Sequence, residues 1–136
     1  MTKEEIINET VEYYKDASKR GYYDSTRRCE YLTESGNMCA VGRCLIPGSV
    51  MMSNSSLGGK PARQEMQHCR VSAKDVTNLE QILKPEYRGH SSHFWMLLQN
   101  LHDSPQFFNN DTMNEEGLRH AKGLIKSLIH VNDAKV

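Results

Sequence analysis

The sequence predicts a mainly α-helical (α+β) fold, with four or five helices packed around one small β-hairpin and a long mobile loop. Three observations carry this expectation. Four segments repeat apolar residues at the helical period, one segment alternates about a Ser-Gly-Asn turn, and residues 48–64 are composed of loop formers. With 136 residues and 38% apolar side chains, the chain can bury one core without staples, so a single domain over 1–136 is expected.

The first helix is the clearest. Thr2 and Glu5 have capping-box spacing, and Ile6, Ile7, Thr10, Val11, Tyr13, Tyr14 and Ala17 fall on one face. Glu5, Glu9, Glu12 and Asp16 line the opposite face. The hairpin comes next, with Glu30-Tyr-Leu-Thr33 and Met38-Cys-Ala-Val41 flanking Ser35-Gly-Asn37. A two-residue turn there puts Cys29 and Cys39 on opposite faces. A three-residue turn puts them on one side with Tyr31 and Thr33.

A second helix begins near Ser72, buries Val76, Leu79, Ile82 and Leu83, and stops before Pro85 because the residue preceding proline resists helical geometry. A third runs from about Ser92 to His102 around Phe94, Leu97, Leu98 and Leu101, and Ser104-Pro105 ends it. The last starts at a Thr112/Glu115 capping box and buries Leu118, Ala121, Leu124, Ile125, Leu128 and Ile129. Glycine disfavours a helix interior, so Gly123 is expected to mark a close packing contact.

Seventeen basic and seventeen acidic side chains cancel, which excludes a whole-molecule field attracting nucleic acid or anionic lipid. The neutral total hides a local imbalance. Residues 19–74 hold nine basic side chains against four acidic ones, and Arg119, Lys122, Lys126 and His130 line one flank of the last helix. No run of eighteen apolar residues occurs, so no ordinary spanning helix is expected. The opening Met-Thr-Lys-Glu-Glu-Ile-Ile lacks secretory character, which points to the cytoplasm and to free thiols.

Three of the four cysteines lie between residues 29 and 47, and they admit three readings. As small hydrophobes, Cys29, Cys39 and Cys44 pack the hairpin onto the helices. As zinc ligands, Cys29, Cys39, Cys44, His68 and Cys69 suffice in number for a tetrahedral site, although they contain no Cys-x-x-Cys knuckle. As a catalytic group, Cys39 would act as nucleophile with His102 as base and Asp103 orienting it, giving a small hydrolase or transferase. Packing is the reading adopted, so no cofactor is expected and zinc is the alternative. His90-Ser-Ser-His93 has a gap a metal could use, but it stands at a helix start, where solvated histidines are expected. Gly58-Gly-Lys60 is not a phosphate loop, since Asn54 and Pro61 replace the glycine and hydroxyl residue such a loop needs. Met51, Met52, Met66 and Met96 offer adaptable apolar points.

Cys29-x-Tyr31, Gly36-Asn-Met-Cys39-Ala-Val-Gly42 with Ile46-Pro47, and Leu97-Leu-Gln-Asn-Leu-His102-Asp103 together resemble a group of small bacterial and tailed-phage proteins. That group carries a Cys-Ala-Val-Gly…Ile-Pro hairpin exit and a Leu-Gln-x-Leu-His-Asp helix. After Pro47 the Gly/Ser/Met-rich loop replaces the acidic, Tyr-containing continuation of the group. The resemblance implies a phage accessory factor acting in the host cytoplasm on host machinery or a defence component. It also groups Cys29, Cys39, Gly42, His102 and Asp103. The expected function is thus a non-enzymatic interaction protein. Arg27, Arg28, Arg43 and Lys60 are the candidate contacts, with Tyr22, Tyr23 and Tyr31 as aromatic anchors. The expected partner is a protein, with an anionic ligand or nucleic acid as alternatives and no membrane.

Overall fold

Thr2 and Glu5 open α1 (Lys3–Tyr13) by satisfying each other's backbone. Thr2 Oγ1 accepts from the Glu5 N–H at 3.1 Å, and Glu5 Oε1 accepts from the Thr2 N–H at 2.8 Å. This computed structural model describes residues 1–23, 28–29, 37–47 and 79–128, with 22, 23, 28 and 29 described through their backbone. Ile6, Ile7, Thr10 and Tyr14 are buried on the predicted face, with Val11 and Tyr13 packed beside them. Thr10 tolerates full burial because its hydroxyl donates to the Ile6 carbonyl at 2.7 Å. Beyond α1, Asp16 caps a 3-10 turn, Ala17–Lys19, by accepting from the Ser18 N–H.

The molecule is mainly helical, and its extended pairing is not the predicted hairpin. Tyr22–Tyr23 pairs antiparallel with Arg28–Cys29, and Cys29 stands opposite Tyr22 rather than Cys39. The predicted second arm, Met38–Val41, is not a strand. Met38 makes one parallel bridge to Arg20, and from Ala40 the chain turns into a 3-10 segment, Gly42–Cys44. The cause is long-range. Tyr14 donates its hydroxyl to the Met38 carbonyl, and Gln99 Oε1 accepts from the Val41 N–H at 2.9 Å, so these distant side chains take backbone groups a ladder would need. The first arm, its Ser35-Gly36 turn and the loop 48–64 lie outside the described residues.

Residues 79–82, here α2, are helical; Ser72 and Val76 of the predicted second helix lie outside the described residues. Leu79 and Leu83 are buried, and Ile82 packs partly buried against the core. Leu83 bridges Leu45, reinforced by Ile46 N–H to the Ile82 carbonyl at 2.7 Å and Lys84 N–H to the Cys44 carbonyl at 3.0 Å. Pro85 begins a 3-10 turn, Pro85–Tyr87, as a residue with no N–H to lose.

Helix α3 (Ser92–Asp103) is capped by Ser91, whose Oγ accepts from the Phe94 N–H at 3.3 Å. Phe94, Trp95, Leu98 and Leu101 are buried, and Gln99 and His102 join them inside. Ser104 ends the helix, and Pro105–Phe107 forms a further 3-10 turn.

Helix α4 (Glu115–Leu128) starts later than its Thr112 signal suggests. Asn109 Oδ1 takes the Thr112 N–H at 2.8 Å, and Asn114 caps the helix instead, accepting from the Gly117 N–H at 2.9 Å. The buried stripe is Gly117, Ala121, Leu124 and Leu128, which turns Leu118 outward to 36% exposure. The close contact also belongs to a different glycine. A Cβ on Gly117 would stand 2.6 Å from the Phe107 carbonyl oxygen and 2.6 Å from Met113 Cγ, whereas one on Gly123 would meet nothing within 4 Å. Both α1 and α3 pack against α4. Among the described residues no helix is long and apolar enough to cross a membrane.

Candidate functional site

Two clusters of ionisable side chains form where the helices meet. In the first, α1 presents Glu9 and Thr10 to the Gly42–Cys44 turn. Arg43 Nη1 donates to Glu9 Oε1 at 2.8 Å and Nη2 to Thr10 Oγ1 at 3.0 Å, while the Tyr87 hydroxyl donates to the same Glu9 oxygen. The guanidinium also lies 5.6 Å from the Tyr13 ring centroid and 5.9 Å from that of Tyr87. Burial alone would raise the Glu9 carboxyl, but the hydrogen bonds from Tyr87 and Arg43 outweigh it and hold the group below its ordinary range. Burial and the bond to Glu9 push the Tyr87 phenol up to about 12.

The Arg43 side chain is only 7% exposed. This corrects its expected place on a water-facing contact surface, since the acidic side of α1 neutralises it. Glu9, read as part of a solvated face, is the partner that does so.

In the second cluster, α3 carries His102 inside. Its Nδ1–H donates to Asp103 Oδ1 at 2.6 Å, and its Nε2 accepts from the Gly21 N–H at 3.2 Å. Nε2 must therefore be unprotonated. Burial lowers the imidazole's affinity for a proton, opposed by the Asp103 carboxylate. Arg20 closes the cluster from outside. Its Nε and Nη2 both donate to the His102 carbonyl, at 3.1 and 2.7 Å, and its guanidinium lies 4.2 Å from the Phe108 ring centroid.

Of the catalytic candidates, His102 and Asp103 meet as the sequence suggested, and among the described residues no hydrogen bond joins Cys39 to either, although the Asp103 carboxylate is near enough to help raise its thiol. Cys39 Sγ accepts from the Gly42 N–H at 3.3 Å, and burial pushes its thiol well above the ordinary range. Cys44 donates to the Ala40 carbonyl at 3.5 Å and is pushed up to about 12, again mainly by burial. Both are free, fully buried thiols that pack as small hydrophobes. His102, expected at the half-buried edge of its helix, is completely enclosed and has both ring nitrogens occupied.

Of the zinc candidates, His68 and Cys69 lie outside the described residues and Cys29 is described only in its backbone. Among the described residues no group of three or more ligating side chains gathers. His90 and His93 separate. His90 is buried, with Nε2 2.9 Å from the Met1 carbonyl and its ring 5.0 Å from Phe94, while His93 is exposed. The solvated state expected for the pair therefore holds for His93 alone.

Arg27, Tyr31 and Lys60 lie outside the described residues, and Tyr22, Tyr23 and Arg28 are placed by their backbone pairing. Exposed cations form a row on α4, while Lys15, Lys19 and Arg88 are exposed elsewhere. Arg119, Lys122 and Lys126 face water, and among the described residues no ion pair neutralises them. Beside that row a groove of about 600 Å³ runs between the Pro105–Phe107 turn and α4, lined by Gln106, Phe107, Glu116, Arg119, His120, Gly123 and Leu124. The His120 ring stacks on Phe107 with centroids 4.6 Å apart. Sequence reasoning reached Arg119, Lys122 and Lys126 through their spacing. It missed Gln106, Glu116 and His120, whose shared position depends on the turn folding back onto the helix.

The chain matches no protein-family model, no curated protein and no solved structure.

Proposed function

We propose that this protein is a non-enzymatic interaction protein that binds an acidic face of a protein partner through basic side chains. The carrying observation is the water-facing row Arg119, Lys122 and Lys126 on a helix whose opposite stripe is anchored in the core. In this reading the 22–64 segment adds further contacts. Arg27, Arg28 and Lys60 supply charge there, and Tyr22 and Tyr23 supply aromatic anchors. The engaged state of Cys39 and His102 supports binding over chemistry, because a nucleophile needs a lowered pKa and a base with a free nitrogen. A phage accessory factor that captures host machinery or a defence component in the cytoplasm fits this description.

The test is a pull-down from host lysate at low and high salt. Recovery by the wild type should fall with salt, and both Arg27→Ala/Arg28→Ala and Arg119→Glu/Lys122→Glu should reduce capture and flatten its salt dependence. Unchanged recovery by both variants would remove the proposal.

A further inference from the structure

Gly21 is where the strand pair Tyr22–Tyr23/Arg28–Cys29 joins the helices. It is buried, and its N–H donates to His102 Nε2 at 3.2 Å. A backbone N–H has no second role, so this contact holds only while Nε2 keeps its lone pair free to accept. The ring cannot trade roles either. His102 is fully enclosed, its Nδ1–H is held by Asp103 Oδ1 at 2.6 Å, and the Tyr14 ring packs on it with centroids 5.0 Å apart. A proton on Nε2 would therefore set donor against donor in a site closed to water.

The surrounding groups decide where the protonated ring is stable. Among the described residues, Asp103 faces it from α3, Tyr14 from α1 and Arg20 from the segment before the strands, while Cys39 lies near Asp103. Burial keeps the Tyr14 phenol and the Cys39 thiol neutral, which leaves Asp103 attracting a charged ring and Arg20 repelling it. Asp103 shares a helix with His102 and stays beside it. Arg20 adjoins Gly21, its guanidinium held on the His102 carbonyl, and moves with the strand root. Withdrawal of residues 20–21 thus removes the opposing N–H and the repelling cation together, and leaves an imidazolium paired with Asp103. Protonation and release favour each other.

We infer that the His102–Gly21 contact is a proton-operated latch, in which a proton on Nε2 releases the strand pair from α3 while the helices stay folded. Two residues a side are too few to hold an independent ribbon, whereas α1, α3 and α4 are anchored by buried stripes. The latch rests on the reading of Tyr22, Tyr23 and Arg28 as partner contacts and adds their regulation, since acid unfastens the strands that carry them.

Amide hydrogen exchange of the full chain tests the latch without a partner. In the open form the hydrated imidazole titrates near the ordinary 6.5, so opening should become about tenfold more frequent between pH 7.5 and 5.5. Corrected for intrinsic exchange, Gly21 protection should fall by that factor and barely respond to urea below the unfolding transition, with Leu98 and Leu124 remaining the slower amides. His102→Gln, which offers an acceptor that does not titrate, should make Gly21 protection independent of pH over this range. Asp103→Asn, at a position that reaches the surface, should move the loss to lower pH, and it decides the matter if the glutamine variant does not fold. Wild-type Gly21 protection that ignores pH, or that falls only in step with Leu98 and with urea, would overturn the latch. Neither result bears on the contact surface, which the Arg27→Ala/Arg28→Ala capture decides; a failed capture with this exchange pattern intact would remove the surface and leave the latch.

Discussion

Gly117 and Gly123 share one helix and should respond to the same substitution with opposite signs. At Gly117 an added methyl would press on the Phe107 backbone oxygen at 2.6 Å, and a carbonyl held in a turn cannot yield cheaply. Gly117→Ala is expected to cost about 1–3 kcal/mol through overpacking. Gly123→Ala meets open space and should stabilise by about 1 kcal/mol on helix propensity alone. Urea unfolding of the two variants checks both signs, and a destabilised Gly123→Ala would mean that side chain does contact something. His102 gives a second residue-scale expectation, in pH. Its native affinity for a proton lies below the ordinary 6.5, so between that native value and about 6.5 the unfolded chain binds more protons than the folded one. Stability from this residue is therefore fully present above about pH 6.5 and is lost as pH falls below it. The geometry agrees with the sign, because a proton on Nε2 would face the Gly21 N–H, donor against donor. Imidazole nitrogen shifts of His102 should report a titration below the ordinary 6.5, and a ring titrating at or above 6.5 would contradict the assignment.

At the scale of the element, what was legible in the sequence follows from how local each determinant is. The start of α1 was readable because Thr2 and Glu5 are three residues apart and need only each other. The same reasoning misplaced the start of α4, because two nearby residues compete. Asn109 draws in the Thr112 backbone, and Asn114, also held by its side-chain N–H to the Gln106 carbonyl at 2.9 Å, takes the cap. Asn114→Ala should accordingly cost about 1 kcal/mol, whereas Thr112→Ala should stay within about 0.5 kcal/mol. Comparable losses in thermal unfolding would restore Thr112 as the cap. The Gly42–Cys44 turn was not legible at all, since its determinants are Tyr14, Gln99 and Leu83, far away in the chain. Arg43 illustrates the consequence. Read alone it is a surface cation, but in place it joins the turn to α1 and to Tyr87. Arg43→Met should cost about 2 kcal/mol, since hydrogen bonds to a charged group are lost while most of the stem packing is kept. It should leave capture by the folded protein unchanged, in contrast to substitutions on the exposed face of α4.

For the whole molecule the division is between an interior that absorbs its reactive groups and a surface that displays its charge. Periodicity identified the helices that make this interior, because α1, α3 and α4 bury stripes near those their sequences show. It could not identify which thiols, imidazoles and guanidinium groups would be consumed there, because that depends on contacts between elements. The groove beside α4 was hidden for the same reason: it needs Phe107, from one turn, against His120, from the next helix. Thiol reactivity tests this division directly. Cys39 and Cys44 are fully buried, and Cys44 stays protonated up to about 12, so neither offers a thiolate at neutral pH without opening of the fold. In a Cys29→Ser/Cys69→Ser background, which isolates these two groups, labelling by an aromatic disulfide at pH 7.5 should therefore be slow and should accelerate with urea in step with unfolding. A single thiol labelled in seconds by the native protein, and protected when His102 becomes alanine, would instead mean that Cys39 and His102 meet in solution. That result would replace binding by catalysis as the work of this fold.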